Sequence, residues 1–273
     1  MRFKQFHLIT HMKASGILFL LFLVVHVTEL KAQNSRKTIL GKIGWYNYFG
    51  TFQLSDKWGI HSEYQCRRDE FITHWQQSLL RVGLNYQPVS NVLFRIGYGW
   101  IETFDYGEIP LNVYGKAFTE HRLFEAIQLS HRTSGVDFLH RMMLEQRFVG
   151  KYETAFSDRE ESFPLLHRMR YLFRAQVALK GKVIQDRTPY ASFSDEIFIG
   201  FGKNVQANIF DQNRISFLLG YRFNPLFRIE AGYLNQMVQF GRIINGQNIF
   251  QYNHGVIINA NLNLHLRKSQ SAQ

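Results

Sequence analysis

The sequence is poor in the residues and segments that define several large classes of protein. Its 273 residues include a single cysteine, which excludes a disulfide framework and a multi-cysteine zinc site. Beyond residue 32 it contains no apolar run long enough for a transmembrane helix. Apolar residues nevertheless make up 45% of the chain, which is enough for a core and argues against disorder.

Sequence motifs of common enzymes are also absent. The chain contains neither a G-x-S-x-G nucleophile elbow nor an H-E-x-x-H zinc pair. Four His-Arg dipeptides begin at His121, His131, His140 and His167. The two members of such a dipeptide point to opposite faces of a strand, so they do not form a chelating pair. The sequence therefore predicts no cofactor and no metal site, and it favours a non-enzymatic protein.

The N-terminal segment has the layout of a secretory signal peptide. Arg2, Lys4 and Lys13 precede a short apolar run, residues 16–25, and Ala32 offers a cleavage site. We therefore expect a signal peptide at residues 1–32 and a mature domain at 33–273. Without the signal peptide the formal net charge falls from +11 to +8. Export argues against nucleic acid as a partner, so this basicity needs another explanation.

The mature chain alternates between apolar and polar residues with a period of two, which is typical of strands with two different faces. Along residues 91–102, for example, Phe94, Ile96 and Tyr98 share one face, and Arg95 and Gly97 share the other. The same alternation predicts eleven strands: 43–54, 58–68, 74–87, 91–102, 118–129, 137–148, 165–179, 190–201, 209–223, 226–239 and 252–266.

The predicted strands and their connections are those of an outer-membrane barrel. Most strands reach the roughly 9–11 residues that a tilted membrane-spanning strand needs. Short turns near Pro88, Pro225 and residues 130–136 alternate with longer links near 103–118, 149–164, 202–208 and 240–250. We therefore predict an all-β protein, a single antiparallel transmembrane β-barrel with short periplasmic turns and longer extracellular loops. Since bacterial barrels have even strand numbers, we expect about 12 strands, with ten as the alternative.

Arginine accumulates on the face opposite the apolar one, and it outnumbers lysine by 20 to 12 along the chain. Arginine is favoured where charges are enclosed and paired, so this face is predicted to line the lumen. The predicted lumen charges are Glu63, Arg81, Arg95, Glu120, Arg122, Arg141, Glu145, Arg147, Arg168, Arg170, Arg174, Glu196, Arg214, Arg222, Arg228 and Glu230.

Several functions are compatible with this pattern. The lumen charges form either a structural plug of ion pairs or a narrow path that prefers anions. A second hypothesis is a barrel-embedded enzyme acting on envelope lipids, and a third is a soluble periplasmic ligand-binding barrel. The expected partners are outer-membrane lipid, the barrel-assembly machinery and a small anionic solute. Side chains available to a lipid enzyme are Ser78, Ser130, Ser216, His140 and His167.

Several segments of the chain resemble the domain-of-unknown-function 2490 family of exported bacterial proteins. The resemblance implies an outer-membrane barrel and supplies no catalytic residues. One departure is the last strand, which runs Leu264-His265-Leu266 where many such barrels end in an aromatic residue. The segments that carry the resemblance are Leu79–Tyr86, Ile96–Gly99, Glu120–Arg122, His140–Phe148, Arg168–Tyr171, Phe210–Arg214, Gly220–Arg222 and Glu230–Leu234.

Overall fold

The computed structural model describes residues 36–205 and 208–266. The expected signal peptide, residues 1–32, lies outside them. The described part of the chain holds no helix that is long and apolar enough to cross a membrane. It forms eleven strands: β1 (Arg36–Gln53), β2 (Trp58–Asp69), β3 (His74–Val89), β4 (Val92–Thr103), β5 (Phe118–Thr133), β6 (Val136–Val149), β7 (Leu165–Ala178), β8 (Thr188–Phe201), β9 (Phe210–Arg222), β10 (Phe227–Ile244) and β11 (Gln247–His265).

The strands form one closed barrel, in which each strand pairs with its neighbours in the sequence and β1 pairs with β11. All-β architecture and barrel closure are therefore confirmed. The expected count of about 12 strands, all antiparallel, differs from the eleven that the described residues form. Neighbouring strands run in opposite directions, so an odd number makes the first and last strands run the same way. The barrel accordingly closes through a parallel pair that extends from Arg36 opposite Asn248 to Gln53 opposite His265.

The two ends of the barrel differ in the length of their connections. We call one end the turn rim; its connections are residues 54–57, 90–91, 134–135, 179–187 and 223–226. We call the other end the loop rim; its connections are residues 70–73, 104–117, 150–164, 202–209 and 245–246.

The prediction of a long link over residues 240–250 is wrong. Strand β10 continues to Ile244, β11 begins at Gln247, and only Asn245 and Gly246 connect them. Both residues have positive φ, 50° and 73°. This is the backbone of a two-residue hairpin turn, which Asn-Gly favours because both residues tolerate that region. The Asn-Gly pair was the sequence signal for a tight turn here.

Along most strands, the apolar residues mainly face the outside of the barrel and the charged residues mainly face the inside. Phe217 and Leu219 on β9 are 56% and 67% exposed, whereas Glu145 on β6 and Glu230 on β10 are 0% and 1% exposed. The inner wall also carries an apolar cluster on β1, β9, β10 and β11. Its members are Ile43, Trp45, Leu218, Leu234 and Ile257.

Candidate functional site

The predicted lumen charges lie on the inner wall of the barrel, with one group at its edge. The five glutamates among them are all buried, as are Arg81, Arg122, Arg168 and Arg170. Arg222 lies instead at the turn rim, where its Nε is 3.3 Å from Asp186 Oδ1 and its Nη1 donates to the Ile184 carbonyl oxygen. It therefore holds the 179–187 connection rather than a carboxylate inside the lumen.

Glu145 is the centre of the charge network. Arg168 donates from Nε to Glu145 Oε2 at 2.7 Å, and Arg170 donates from Nη1 to Oε1 at 2.7 Å. The guanidinium groups of Arg81 and Arg122 each approach Oε1 to 3.7 Å. Four positive groups thus surround one fully buried carboxylate, which partly neutralises their mutual repulsion.

The remaining carboxylates extend this network across the barrel. Glu63 accepts from Arg81 at 2.8 and 2.9 Å, and Glu196 accepts from Arg141 and Arg170 at 2.8 Å. Burying such ions costs several kcal/mol each, and only multiple charge-assisted hydrogen bonds offset that cost. We call this set the ion-pair layer: Glu63, Glu120, Glu145, Glu196, Asp211, Arg81, Arg122, Arg141, Arg147, Arg168 and Arg170.

Aromatic rings support several guanidinium groups inside the lumen. The Phe198 ring centroid lies 5.0 Å from Arg168 Cζ and 4.5 Å from both Arg170 Cζ and Arg214 Cζ. Trp45 takes a similar place 3.9 Å from Arg67 Cζ. These contacts are within the range of cation–π attraction, which is strongest where water is excluded. Phe198 and Trp45 therefore stabilise guanidinium groups whose N–H donors are not all paired with carboxylates.

The described residues line a cavity on each side of the lumen. The turn-side cavity, of about 360 Å³, includes Thr51, Arg95, Arg174 and Asn263 in its lining. The loop-side cavity, of about 260 Å³, is lined partly by Arg122 from the ion-pair layer. Among the described residues, Arg214 is the one side chain that lines both cavities.

The 104–117 connection folds into the loop end of the barrel. Its Tyr106 is buried and lines the loop-side cavity, and its Ile109 and Leu111 pack against a buried cluster of Ile39, Phe240 and Ile249. Burial raises the pKa of the Tyr106 phenol, and a hydrogen bond with Gln76 opposes that rise. This connection therefore caps the loop-side cavity.

The turn-side cavity contains more positive than negative groups. Seven arginines line it: Arg81, Arg95, Arg141, Arg170, Arg174, Arg214 and Arg228. Three glutamates line it: Glu63, Glu196 and Glu230. The cavity wall thus has a formal charge of four positive. The rest of its polar lining is the His61 imidazole together with amide and hydroxyl groups, including Asn259, Asn261 and Ser216.

Among the described residues, the sequence analysis missed three buried charged residues of the inner wall: Arg67, Asp69 and Asp211. Arg67 shares the inner face of β2 with Glu63, so strict alternation through β2 was sufficient to find it. Asp211 receives a charge-assisted hydrogen bond from Arg168, yet alternation back from Ile215 places it outside. A register shift between Phe198 and Ile199, in the pairing of β8 with β9, moves Asp211 to the inside. No simple periodicity signals that shift.

The serines and histidines considered for a lipid enzyme are not brought together. Ser216 faces the lumen and shares a 2.7 Å hydrogen bond with Ser194, while His140 bonds to the Tyr171 hydroxyl and His167 stacks on Phe201. Within residues 36–205 and 208–266, no serine–histidine hydrogen bond joins members of this set. The same residues contain no group of three His, Cys, Asp or Glu side chains arranged to hold a metal ion.

A sequence model of the family described as "Protein of unknown function (DUF2490)" matches residues 43–245. The chain belongs to this family. The match begins in β1 and ends at the hairpin turn between β10 and β11, so DUF2490 corresponds to most of the barrel. It also contains every segment that carried the resemblance. A search of curated proteins finds no significant match to the chain. Membership in DUF2490 confirms the resemblance and leaves the role to be argued from the lumen.

Proposed function

We propose that the protein is a non-enzymatic outer-membrane barrel whose lumen is closed by the ion-pair layer. It reaches the envelope through a signal peptide cleaved near Ala32. Its apolar outer face contacts lipid, and its short turns face the periplasm. The inverted distribution of side chains, apolar outside and ionic inside, is the observation that carries this proposal.

The outer face supports insertion into a bilayer. Each of the eleven strands presents at least one large apolar side chain that is more than a third exposed, such as Leu40 on β1, Ile96 on β4 and Ile258 on β11. Monomeric soluble proteins rarely expose contiguous apolar patches beyond a few hundred square ångströms. The strands are 12 to 19 residues long, which exceeds the roughly 9–11 that a membrane-spanning strand requires.

The interior supports a closed lumen. Glu145 is fully buried among four arginines, and the apolar cluster that contains Trp45 lies on the inner wall across the lumen from it. The 104–117 connection, which we call the capping loop, places Leu111 in the loop end of the lumen. The turn-side cavity reaches exposed Asn263 at the turn rim, on the side assigned to the periplasm.

Cell fractionation and gel mobility test the location. The protein is expected to sediment with outer membranes, to need detergent for extraction, and to migrate faster on a detergent gel unheated than heated. A folded, monodisperse protein in detergent-free buffer would contradict insertion and favour the soluble periplasmic barrel.

Conductance across a planar bilayer tests the closed lumen. The wild-type protein is expected to insert without stepwise channels. The variant Arg214→Ala removes the side chain shared by both cavities and is expected to conduct more. Arg132→Ala is not, because Arg132 is exposed at the turn rim and lines neither cavity. If the wild type formed stepwise anion-selective channels, the closed lumen would be rejected in favour of the anion-preferring path. The excess of arginine in the turn-side cavity would explain that preference.

A further inference from the structure

The turn-side cavity contains positive groups that the protein itself does not pair. Its glutamates already have partners: Glu63 binds Arg81, Glu196 binds Arg141 and Arg170, and Glu230 is 3.3 Å from Arg174. Arg95 donates from Nε to the Asn85 side-chain oxygen at 2.6 Å. Neither Arg95 nor Arg228 has a carboxylate within 4.0 Å among the described residues.

Several hydrogen-bond donors in this cavity are buried and unsatisfied. Among the described residues, no acceptor contacts the Nε atoms of Arg141, Arg174 and Arg228 or the Nδ2 atom of Asn261. A buried donor without a partner costs about 1–3 kcal/mol, and more when it is charged. The cavity therefore has donors and positive charge in excess, and it needs acceptors that carry negative charge.

We infer that the turn-side cavity is a binding site for a multivalent oxyanion, that is, a phosphate or a polycarboxylate. Such a ligand supplies several acceptor oxygens to a wall with a formal charge of four positive. Guanidinium groups suit it because their paired N–H donors match the geometry of carboxylate and phosphate oxygens. A volume of about 360 Å³ fits a small molecule of this kind. The inference rests on the proposed function only for the side from which the ligand enters.

Arg228 is the most informative residue for a test. It lies on β10, one residue from the turn rim, and it is half-buried. Since it forms no ion pair among the described residues, Arg228→Gln removes a charge without leaving a carboxylate unpaired. Arg95→Gln has the same property on the opposite wall, apart from the loss of one bond to Asn85. Arg132→Gln is the control, because Arg132 is exposed at the turn rim, pairs with Asp137 and lines neither cavity.

The test is calorimetric titration of the purified full-length barrel in a non-ionic detergent at constant ionic strength. The probes are inorganic phosphate, citrate and, as a neutral control, sucrose. We expect one molecule of phosphate or citrate to bind per barrel and sucrose not to bind. Arg228→Gln and Arg95→Gln should each weaken that binding at least tenfold, while Arg132→Gln should leave it unchanged. Unheated gel mobility verifies that each variant is folded.

The outcomes separate this inference from the proposed function. Binding of phosphate alone identifies a phosphate-bearing ligand, and binding of citrate alone identifies a polycarboxylate; both support the site. Failure of both probes to bind folded wild-type protein overturns it, and so does unchanged affinity in Arg228→Gln and Arg95→Gln. If the barrel binds an oxyanion through these arginines and also conducts ions freely, the binding site is supported and the proposal of a closed lumen is rejected.

Discussion

Glu145→Gln should strongly destabilise the barrel, because Glu145 holds four guanidinium groups together. The substitution keeps the shape of the side chain and removes its negative charge. The glutamine amide keeps one acceptor oxygen and replaces the other by an NH2 group, so either Arg168 or Arg170 loses its acceptor and the other donates to a neutral oxygen. Arg81 and Arg122 would lose their attraction over 3.7 Å. Removing one partner of a buried ion pair costs about 3–5 kcal/mol. Asp211, Glu63, Glu120 and Glu196 each still pair with one of these four arginines, so we expect a loss of about 3 kcal/mol.

Urea unfolding in detergent micelles, followed by gel mobility or fluorescence, measures this loss. Glu70→Gln is the matched control, since Glu70 is exposed in the 70–73 connection at the loop rim. Its free energy of unfolding should change by less than about 0.5 kcal/mol. The double variant Glu145→Gln/Arg170→Gln should lose less than the sum of the single variants, because the two groups share one interaction. A loss below about 1 kcal/mol in Glu145→Gln, with additive behaviour in the double variant, would refute the central role of this carboxylate.

Three further predictions concern topology, closure and the capping loop. In a Cys66→Ser background, Arg159→Cys on the loop rim should react with a membrane-impermeant maleimide in intact cells. Lys180→Cys on the turn rim should react only after the outer membrane has been permeabilised. The reverse result would invert the assigned orientation. Gly255→Ala should destabilise the barrel by about 1–3 kcal/mol, because a Cβ there would lie 1.8 Å from the Ile43 carbonyl oxygen across the parallel pair. Gly99→Ala should be tolerated, since the nearest atom to a Cβ there is 3.5 Å away. Equal unfolding midpoints of the two variants would argue against the parallel closure. Leu111→Asp should speed trypsin cleavage after Lys116 while leaving urea unfolding of the barrel unchanged, and equal cleavage rates would show that the loop is not held by its apolar contacts.

Alternation of residue types was sufficient to predict most strands and their two faces. Along β4 and β9 the apolar residues that the pattern placed on one face, such as Ile96 and Phe217, are the exposed ones. This works because a strand has a period of two, so one buried charge such as Glu145 fixes the direction of every side chain along its strand.

The parallel closure could not be predicted from the same pattern. Pairing of β1 with β11 joins residues more than 200 positions apart, and neither strand carries a local signal for its partner or its register. The rule that bacterial barrels have even strand numbers led to an expectation of twelve although only eleven segments were recognised. Individual ion pairs were also beyond the sequence, because the partner of Arg168 depends on the register shift that brings in Asp211.

The capping loop shows a third limit. Residues 104–117 were recognised as a long polar link, but nothing in their composition indicated that Tyr106, Ile109 and Leu111 fold inward. They pack against an apolar patch formed by Ile39, Phe240 and Ile249, on strands β1, β10 and β11, which are distant in sequence from the loop. Contacts of this kind are set by the assembled barrel, so they follow from the structure alone.

Met142 and Met143 on β6 allow the most direct test of the orientation on which the account depends. They are adjacent and identical, yet Met142 is 50% exposed on the outer face and Met143 is 2% exposed inside. Each is replaced in turn by cysteine in a Cys66→Ser background, labelled with a nitroxide and reconstituted into vesicles. Power-saturation spectroscopy then compares relaxation by oxygen, which dissolves in lipid, with relaxation by a water-soluble nickel complex. The account predicts strong oxygen relaxation and almost no nickel relaxation for the label at position 142, and weak oxygen relaxation at 143. Strong nickel relaxation at position 142 would show that the apolar face meets water, and would contradict the proposed barrel in the membrane.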